Sequence, residues 1–581
     1  MILIEAAAIG LVVALAAVFL LEKRLRPLAA LTASLGLGLG AGCLAAWADS
    51  ERTPPLTERG VRERPVEIEM AGHVGPGACQ ACHPGEHASW TDSWHRTMTQ
   101  LVEPGTLLGP LQDSWELDGQ VWGLTWEGDE LIATTPEGES RRAMLLTGSH
   151  HAQDIWIETP ETGQDLELFP FEYRADLGRW IPMREAFLQP QGEGEHTIGT
   201  WNRNCIQCHT TSGETWVYEE DVLLSRVADF GIACEACHGP GEEHVAAHQE
   251  PLGRMLGERG HDDTVVNPAD LDPRRSAEVC GQCHGIWHGP EGDYTPGDVL
   301  ADHRDYEIMD ALAGDWAKLD TWFWRDGQVR ISGREYTGLR ESPCYQTGEA
   351  SCLDCHRMHQ SDDDERAAKV WANDQLREDL SEDEQCTQCH VVADDHTRHD
   401  ADSEGARCQN CHAPYTTWGV LKGIRSHTVG SPSVTESLEV GRPNACNLCH
   451  QDRTLAWTNQ ALVAWGVQPV DVPAPHDEVA AVAVWSLSGD AGLRALMAWH
   501  LGWAPAREAS GTGWQRRYLD HLARDPYPAV RTVASKHLDA LPADEAFSAR
   551  PELLVREDGS VDERFGLLAA ERDDKRVVLA E

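Results

Sequence analysis

The sequence predicts a mostly α-helical chain with extensive loops, interrupted by a small β-rich insertion and closed by an α-helical C-terminal domain. Three observations lead there. Eight Cys-x-x-Cys-His segments recur between residues 79 and 450, joined by connections rich in Gly, Pro and Asp. Apolar and polar residues alternate between residues 105 and 200. Beyond residue 455, apolar residues return at helical spacing.

The chain has 581 residues, enough for several domains, and its 41% hydrophobic content is ordinary for a soluble fold. Its 95 acidic and 48 basic residues give a formal charge of -47, which argues against nucleic acid as a partner. Such an excess suits a well-solvated surface or the steering of a cationic redox partner.

Residues 1–48 are the one long apolar region, divided into Ile2–Leu21 and Pro27–Trp47 around Lys23, Arg24 and Arg26. Each segment is long enough to cross a bilayer. The positive-inside rule keeps the basic knot cytoplasmic and sends everything after Asp49 outward, as a two-helix membrane anchor. A second reading takes the knot as the n-region of a signal, Leu28–Leu44 as its apolar stretch and Ala46-Trp47-Ala48 as a cleavage site. The retained anchor is favoured, and either route exports the body of the chain to the periplasmic or extracytoplasmic side. Cys43, in LGAGC, lacks the aliphatic residue three positions earlier that a lipoprotein site needs.

A Pro- and Glu-rich linker follows at 49–70, then the first motif segment at 71–104. WELDGQVWGLTWEGDELIATTPEG and AQDIWIETPETGQDLELFPFEY predict short antiparallel strands within a β-rich insertion at 105–200. Residues 201–455 hold seven motifs in quick succession, predicting short helices and loops. Residues 456–581 read as a helical domain. There Asp525, Pro526, Val530, Arg531, Ala534 and Leu538 fit a HEAT-type repeat, with ordinary helical packing as the alternative.

The motifs are CQACH (79–83), CIQCH (from 205), CEACH (234), CGQCH (280), CLDCH (352), CTQCH (386), CQNCH (408) and CNLCH (446), and they use 16 of the 18 cysteines. Zinc sites and ferredoxin clusters need paired thiolates but no histidine directly after the second cysteine. Haem c attachment requires that order, because two thiols add to the porphyrin vinyl groups and the adjacent imidazole ligates the iron. The expected thioether positions are Cys79, Cys82, Cys205, Cys208, Cys234, Cys237, Cys280, Cys283, Cys352, Cys355, Cys386, Cys389, Cys408, Cys411, Cys446 and Cys449. The proximal ligands are His83, His209, His238, His284, His356, His390, His412 and His450. The sequence thus predicts eight covalently attached haem c groups and a multihaem cytochrome c fold, with zinc pairs or redox dithiols as the remaining alternatives.

A second imidazole on the far side would close an iron to small molecules, and an open position would permit chemistry. The 27 histidines leave 19 beyond the motifs, enough to close all eight irons. The segments WHRTM (94–98), TGSHHAQDIW (147–156), WNRNCIQCHT (201–210), CEACHGPGEEHV (234–245), ESPCYQTGEASCLDCHRMH (341–359) and GRPNACNLCHQDR (441–453) carry a family likeness. Over residues 75–455 the chain resembles bacterial multihaem c-type cytochromes related to the tetrahaem cytochromes of hydroxylamine oxidation. That resemblance implies a bis-histidine array with His95, His244, His359, His399 and His427 as distal ligands, and His151 as a further candidate. The choice between His396 and His399, and between His150 and His151, stays open.

His359 stands one helical turn after His356 and should point toward a neighbouring haem. His73, His87, His248, His261, His288 and His303 have no pattern that ranks them as ligands. His476, His500, His521 and His537 read as ordinary histidines of the helical domain, and Cys344 as a free thiol.

The expected function is electron transfer outside the cytoplasmic membrane, with a redox protein or quinol-linked membrane donor or acceptor as partner and no catalytic residue. Two alternatives stand beside it: reduction of a small nitrogen or sulfur compound at one open haem, and a docking subunit of a membrane redox complex. None of the eight motifs has the Cys-x-x-Cys-Lys form of ammonia-forming nitrite reductases, which weighs against the enzyme.

Overall fold

The computed structural model describes residues 61, 63–159, 164–189, 200–218, 222–249, 263–290, 294–305, 321–347, 350–393, 395–542, 545–548 and 550–573. The anchor or signal segment at 1–48, Cys43, most of the 49–70 linker and His261 lie outside the described residues. Among the described residues no helix is long and apolar enough to cross a membrane.

The expectation of a mostly α-helical chain is wrong, because the largest single element is a nine-stranded sheet. A short strand β1 (Val66–Glu67) precedes the first motif. The sheet then runs through β2 (Thr99–Leu101), β3 (Trp115–Leu117), β4 (Gln120–Glu127), β5 (Glu130–Thr134), β6 (Ser140–Thr147), β7 (Ala152–Glu158), β8 (Leu166–Leu168), β9 (Phe171–Arg174) and β10 (Arg179–Pro182). Its order is β10-β9-β7-β6-β5-β4-β3, with β2 paired to β6 and β8 to β7. Asp118 and Gly119, both at positive φ, make the two-residue turn between β3 and β4, as an Asp-Gly pair is suited to do.

Successive side chains of a strand leave on opposite faces, and here both faces are apolar. Leu146 and Ile155 join Trp115, Leu124, Leu131 and Phe169 in one core. Their neighbours Leu145 and Trp156 point the other way, onto Trp201 and Ile206, with Cys205 packed against that second core. The sheet is therefore the wall on which the second motif is mounted.

Helices in the motif region are short, such as Ile206–His209, Cys234–His238 and Cys408–His412. The exception is the 12-residue helix Pro273–His284, which Asp272 caps by accepting from Arg274 N and Arg275 N. The C-terminal part forms the helices Leu455–Ala464, Ala481–Ser488, Ala491–His500, Ala504–Ser510, Gln515–Leu522, Pro528–Ala540 and Glu563–Ala570. Their core is continuous with Ile181, Phe187, Trp324, Ile331 and Trp418, so these helices share one interior with the sheet's last strand and the motif region. Inside it the buried Arg494 donates to both carboxylate oxygens of Asp525, at 2.6 and 3.1 Å. This pairing satisfies two charges that could not otherwise be buried.

Candidate haem sites

Each motif is built as about one helical turn. In His83, His209, His356, His390 and His450 the backbone N–H donates to the carbonyl of the first motif cysteine, at 2.8 to 3.0 Å. That turn presents two thiols and one imidazole together. A cavity of about 3400 Å³ is lined by residues of seven of the eight motifs, and the segment Cys446–His450 lies off it. Ordinary ligand pockets hold roughly 300–1,000 Å³, so this space fits several large planar groups.

The imidazoles face one another in pairs. A metal held by two trans imidazoles lies about 2.0 Å from each Nε2, which places the ring centroids about 6.2 Å apart. His83 and His244 have centroids 6.2 Å apart, His238 and His359 6.3 Å, and His95 and His284 6.5 Å. His396 and His412 are 6.1 Å apart, and His399 and His450 6.0 Å. His427 is the electrostatic neighbour of His356. The residues fit haem: each of these pairs joins one motif histidine to one histidine from elsewhere. Among the described residues no three His, Cys, Asp or Glu side chains gather to hold a bare metal ion, so the paired thiols are not arranged as zinc ligands.

The sequence family described as cytochrome c554 and c-prime matches residues 182–239, which hold the second and third motifs. The multiheme cytochrome MtrA of Shewanella baltica (strain OS185) is 22% identical over 197 residues, covering 32% of this chain and 52% of that protein. The chain thus spans about half the length of that curated relative. These matches support a multihaem c-type cytochrome. Among solved structures, the outer cell wall cytochrome OcwA aligns at a TM-score of 0.47 and 20% identity, over 81% of the cytochrome and 100% of that chain. An undecaheme cytochrome from the S-layer of Carboxydothermus ferrireducens aligns at 0.36 and 15%, over 87% and 73%.

Not every expected ligand of the cytochrome is paired. His151 lines the cavity, but its ring stacks on His150 at 3.8 Å and its Nε2 lies 3.3 Å from Lys422 Nζ. Between His396 and His399 the structure does not choose: His396 faces His412 and His399 faces His450, so the two rings stand opposite different motifs. His209 and His390 belong to none of these pairs; His209 is half-buried and His390 exposed. His500 Nε2 donates to the Tyr415 carbonyl, 2.9 Å away, as an ordinary core histidine. Cys344 is an unpaired, half-buried thiol.

Burial favours the neutral ring at His95, His238, His356, His359 and His450, the state in which an imidazole can ligate. It pushes His95 down to about 4, helped by His284, and His450 down to about 4, helped by His399 and Arg453. The outer nitrogens are anchored mostly by backbone. Nδ1 of His238 faces Val266 O at 2.7 Å, that of His356 faces Asp374 O at 2.9 Å, and that of His412 faces Gly430 O at 2.9 Å. On the distal side, His399 Nδ1 faces Thr397 O at 2.6 Å and His427 Nδ1 faces Arg425 O at 3.2 Å. His284 differs, for its Nδ1 faces the Glu335 carboxylate at 3.0 Å. Burial opposes charge on both groups, yet the Glu335 contact raises His284 and draws Glu335 down to about 2. No local sequence pattern marks Glu335, which lies 51 residues from its partner.

The motif segments touch in a definite order. Glu235, inside the third motif, accepts from Val74 N and Gly75 N at 2.9 Å, and the Cys79 thiol is within hydrogen-bonding range of Cys234, joining the first motif to the third. Gln282 donates to Ala236 O at 2.9 Å, joining the third to the fourth. The fourth meets the fifth through Cys280 and Cys352. Gln388 donates to Asp354 O at 3.2 Å, and Cys408 N to Asp383 at 3.0 Å, which carries the chain of contacts through the sixth to the seventh. Helix Cys408–His412 then packs on Ala445–Cys449, the eighth. The second motif stands off this line, touching the fourth through Cys208 and Cys283.

Proposed function

We propose that the cytochrome carries eight haem c groups, one on each Cys-x-x-Cys-His motif, and conducts electrons outside the cytoplasmic membrane. The observation that carries this reading is the five imidazole pairs at 6.0 to 6.5 Å, each uniting a motif histidine with a remote one. The proximal ligands are the eight motif histidines. The distal ligands are His244 toward His83, His359 toward His238, His95 toward His284, His427 toward His356, His396 toward His412 and His399 toward His450. Haem, when bound, supplies one-electron iron redox chemistry.

The chain's own residues close both axial positions and exclude outside ligands at those six sites. The contacts between motif segments support rapid exchange: Cys79 meets Cys234 and Cys208 meets Cys283, so haems held by those thiols would lie close to one another. A cationic redox protein suits the formal charge of -47. A second reading, reduction of a small nitrogen or sulfur compound, has its place at His209 or His390, which belong to none of the five pairs.

The test is a haem count by pyridine haemochrome, with EPR and resonance Raman of the holoprotein. Eight haems per chain, at least six of them low-spin and six-coordinate, is the expected result. A majority of high-spin haems would overturn the conducting array.

A further inference from the structure

The fourth motif is distinct in two independent ways. Among the described residues it is the one segment in contact with three others: the third through Gln282, the second through Cys283 and the fifth through Cys280. It also holds a paired imidazole whose Nδ1 faces a carboxylate, where His238, His356, His412, His399 and His427 face carbonyls.

The carboxylate is firmly seated. Glu335 opens helix Glu335–Arg340, and its Oε1 accepts from Gly333 N at 2.9 Å while Oε2 meets His284. The neighbouring Arg334 donates to Gly333 O at 2.7 Å, and its charge opposes that of Glu335 at His284 without cancelling it. Helix Glu335–Arg340 presses on Pro273–His284 so tightly that a Cβ at Gly281 would fall 2.6 Å from the Tyr336 ring. No rearrangement is needed to keep the carboxylate and imidazole together.

We propose that Glu335 is a positioning residue that, through His284, lowers the potential of the haem on the fourth motif and makes it the last of the array to be reduced. This rests on the reading that His284 and His95 are that haem's axial pair. A carbonyl offers the ring N–H a dipole, but a carboxylate offers a full negative charge. The charge draws the Nδ1 proton outward, leaves the ring more electron-rich at Nε2 and favours the ferric iron. An electron then crosses the junction without resting there, and the second-motif haem stays separated from the long limb unless electrons are driven through.

The experiment is a stepwise potentiometric titration of the holoprotein followed by EPR, on wild type, Glu335→Gln and Glu335→Asp. Glutamine keeps the shape and the Gly333 bond but removes the charge. One low-spin component should move to higher potential and change its g-values, the others staying in place, and aspartate should restore it toward the wild-type position. In wild type that component should be the last to disappear on reduction. His95→Met identifies it, because exchanging that ligand alters the spectrum of one haem.

If Glu335→Gln moves no component, or if the component altered by His95→Met is among the first reduced in wild type, the proposal is overturned. The wild-type order decides the matter even if a variant fails to fold. If His95→Met alters no haem, the axial assignment under Proposed function has failed, and this proposal fails with it by a separate observation.

Discussion

His396 and His399 show what a single residue can decide. They lie three apart, yet one ring faces His412 at 6.1 Å and the other His450 at 6.0 Å. His396→Ala and His399→Ala should each convert one haem, and a different one, from low-spin to high-spin, and the double variant two haems. Low-temperature EPR counts them; a loss common to both variants would refute the pairing. The motif thiols and histidines stand out in the sequence because haem c attachment would confine them to five consecutive residues. Distal partners were legible mainly through resemblance: His244, His359, His95 and His399 meet motif imidazoles, while His151 meets Lys422. A distal ligand is delivered by tertiary folding, so no local spacing announces it, and Glu335 was invisible for the same reason.

At the scale of elements, the period-two alternation correctly announced strands, but it could not show that β2 and β8 would add to the central pair β6 and β7. The mostly α-helical expectation took the insertion as small, whereas its strands run from Thr99 to Pro182 and join in one nine-stranded sheet; the motif helices are short as expected, since one turn suffices to aim two thiols and a ring, and Gly, Pro and Asp then stop it. In the C-terminal helices His500 and His537 are each held down to about 4, chiefly by burial. The unfolded chain protonates such histidines near their ordinary value of 6.5, so their contribution to stability is complete above that pH and lost as pH falls toward 4. Each shift is worth on the order of 3 kcal/mol. Urea unfolding of the C-terminal helices should show falling stability from pH 7 to pH 4.5, and His500→Gln should remove about half of that slope. A slope unchanged in the variant would show that His500 is not protonated on unfolding.

Over the whole molecule, the formal charge of -47 sets a long-range field that favours cationic partners. Electron exchange with a small cationic donor protein should slow steeply as salt rises from 0.01 to about 0.15 M, where the screening length falls from roughly 30 to 8 Å. Stopped-flow reduction measures this, and a rate indifferent to salt would point to a neutral or anionic partner.

The contacts that bring motifs together also constrain how the protein is made. Cys79 meets Cys234, and Cys208 meets Cys283, across segments far apart in sequence. In a chain that folded in an oxidising compartment before receiving haem, these would be neighbouring free thiols, ready to join as disulfides between motifs. Such bridges would consume the attachment points and hold the cavity shut. Maturation therefore has to run ahead of folding, with each motif loaded while the chain is still open.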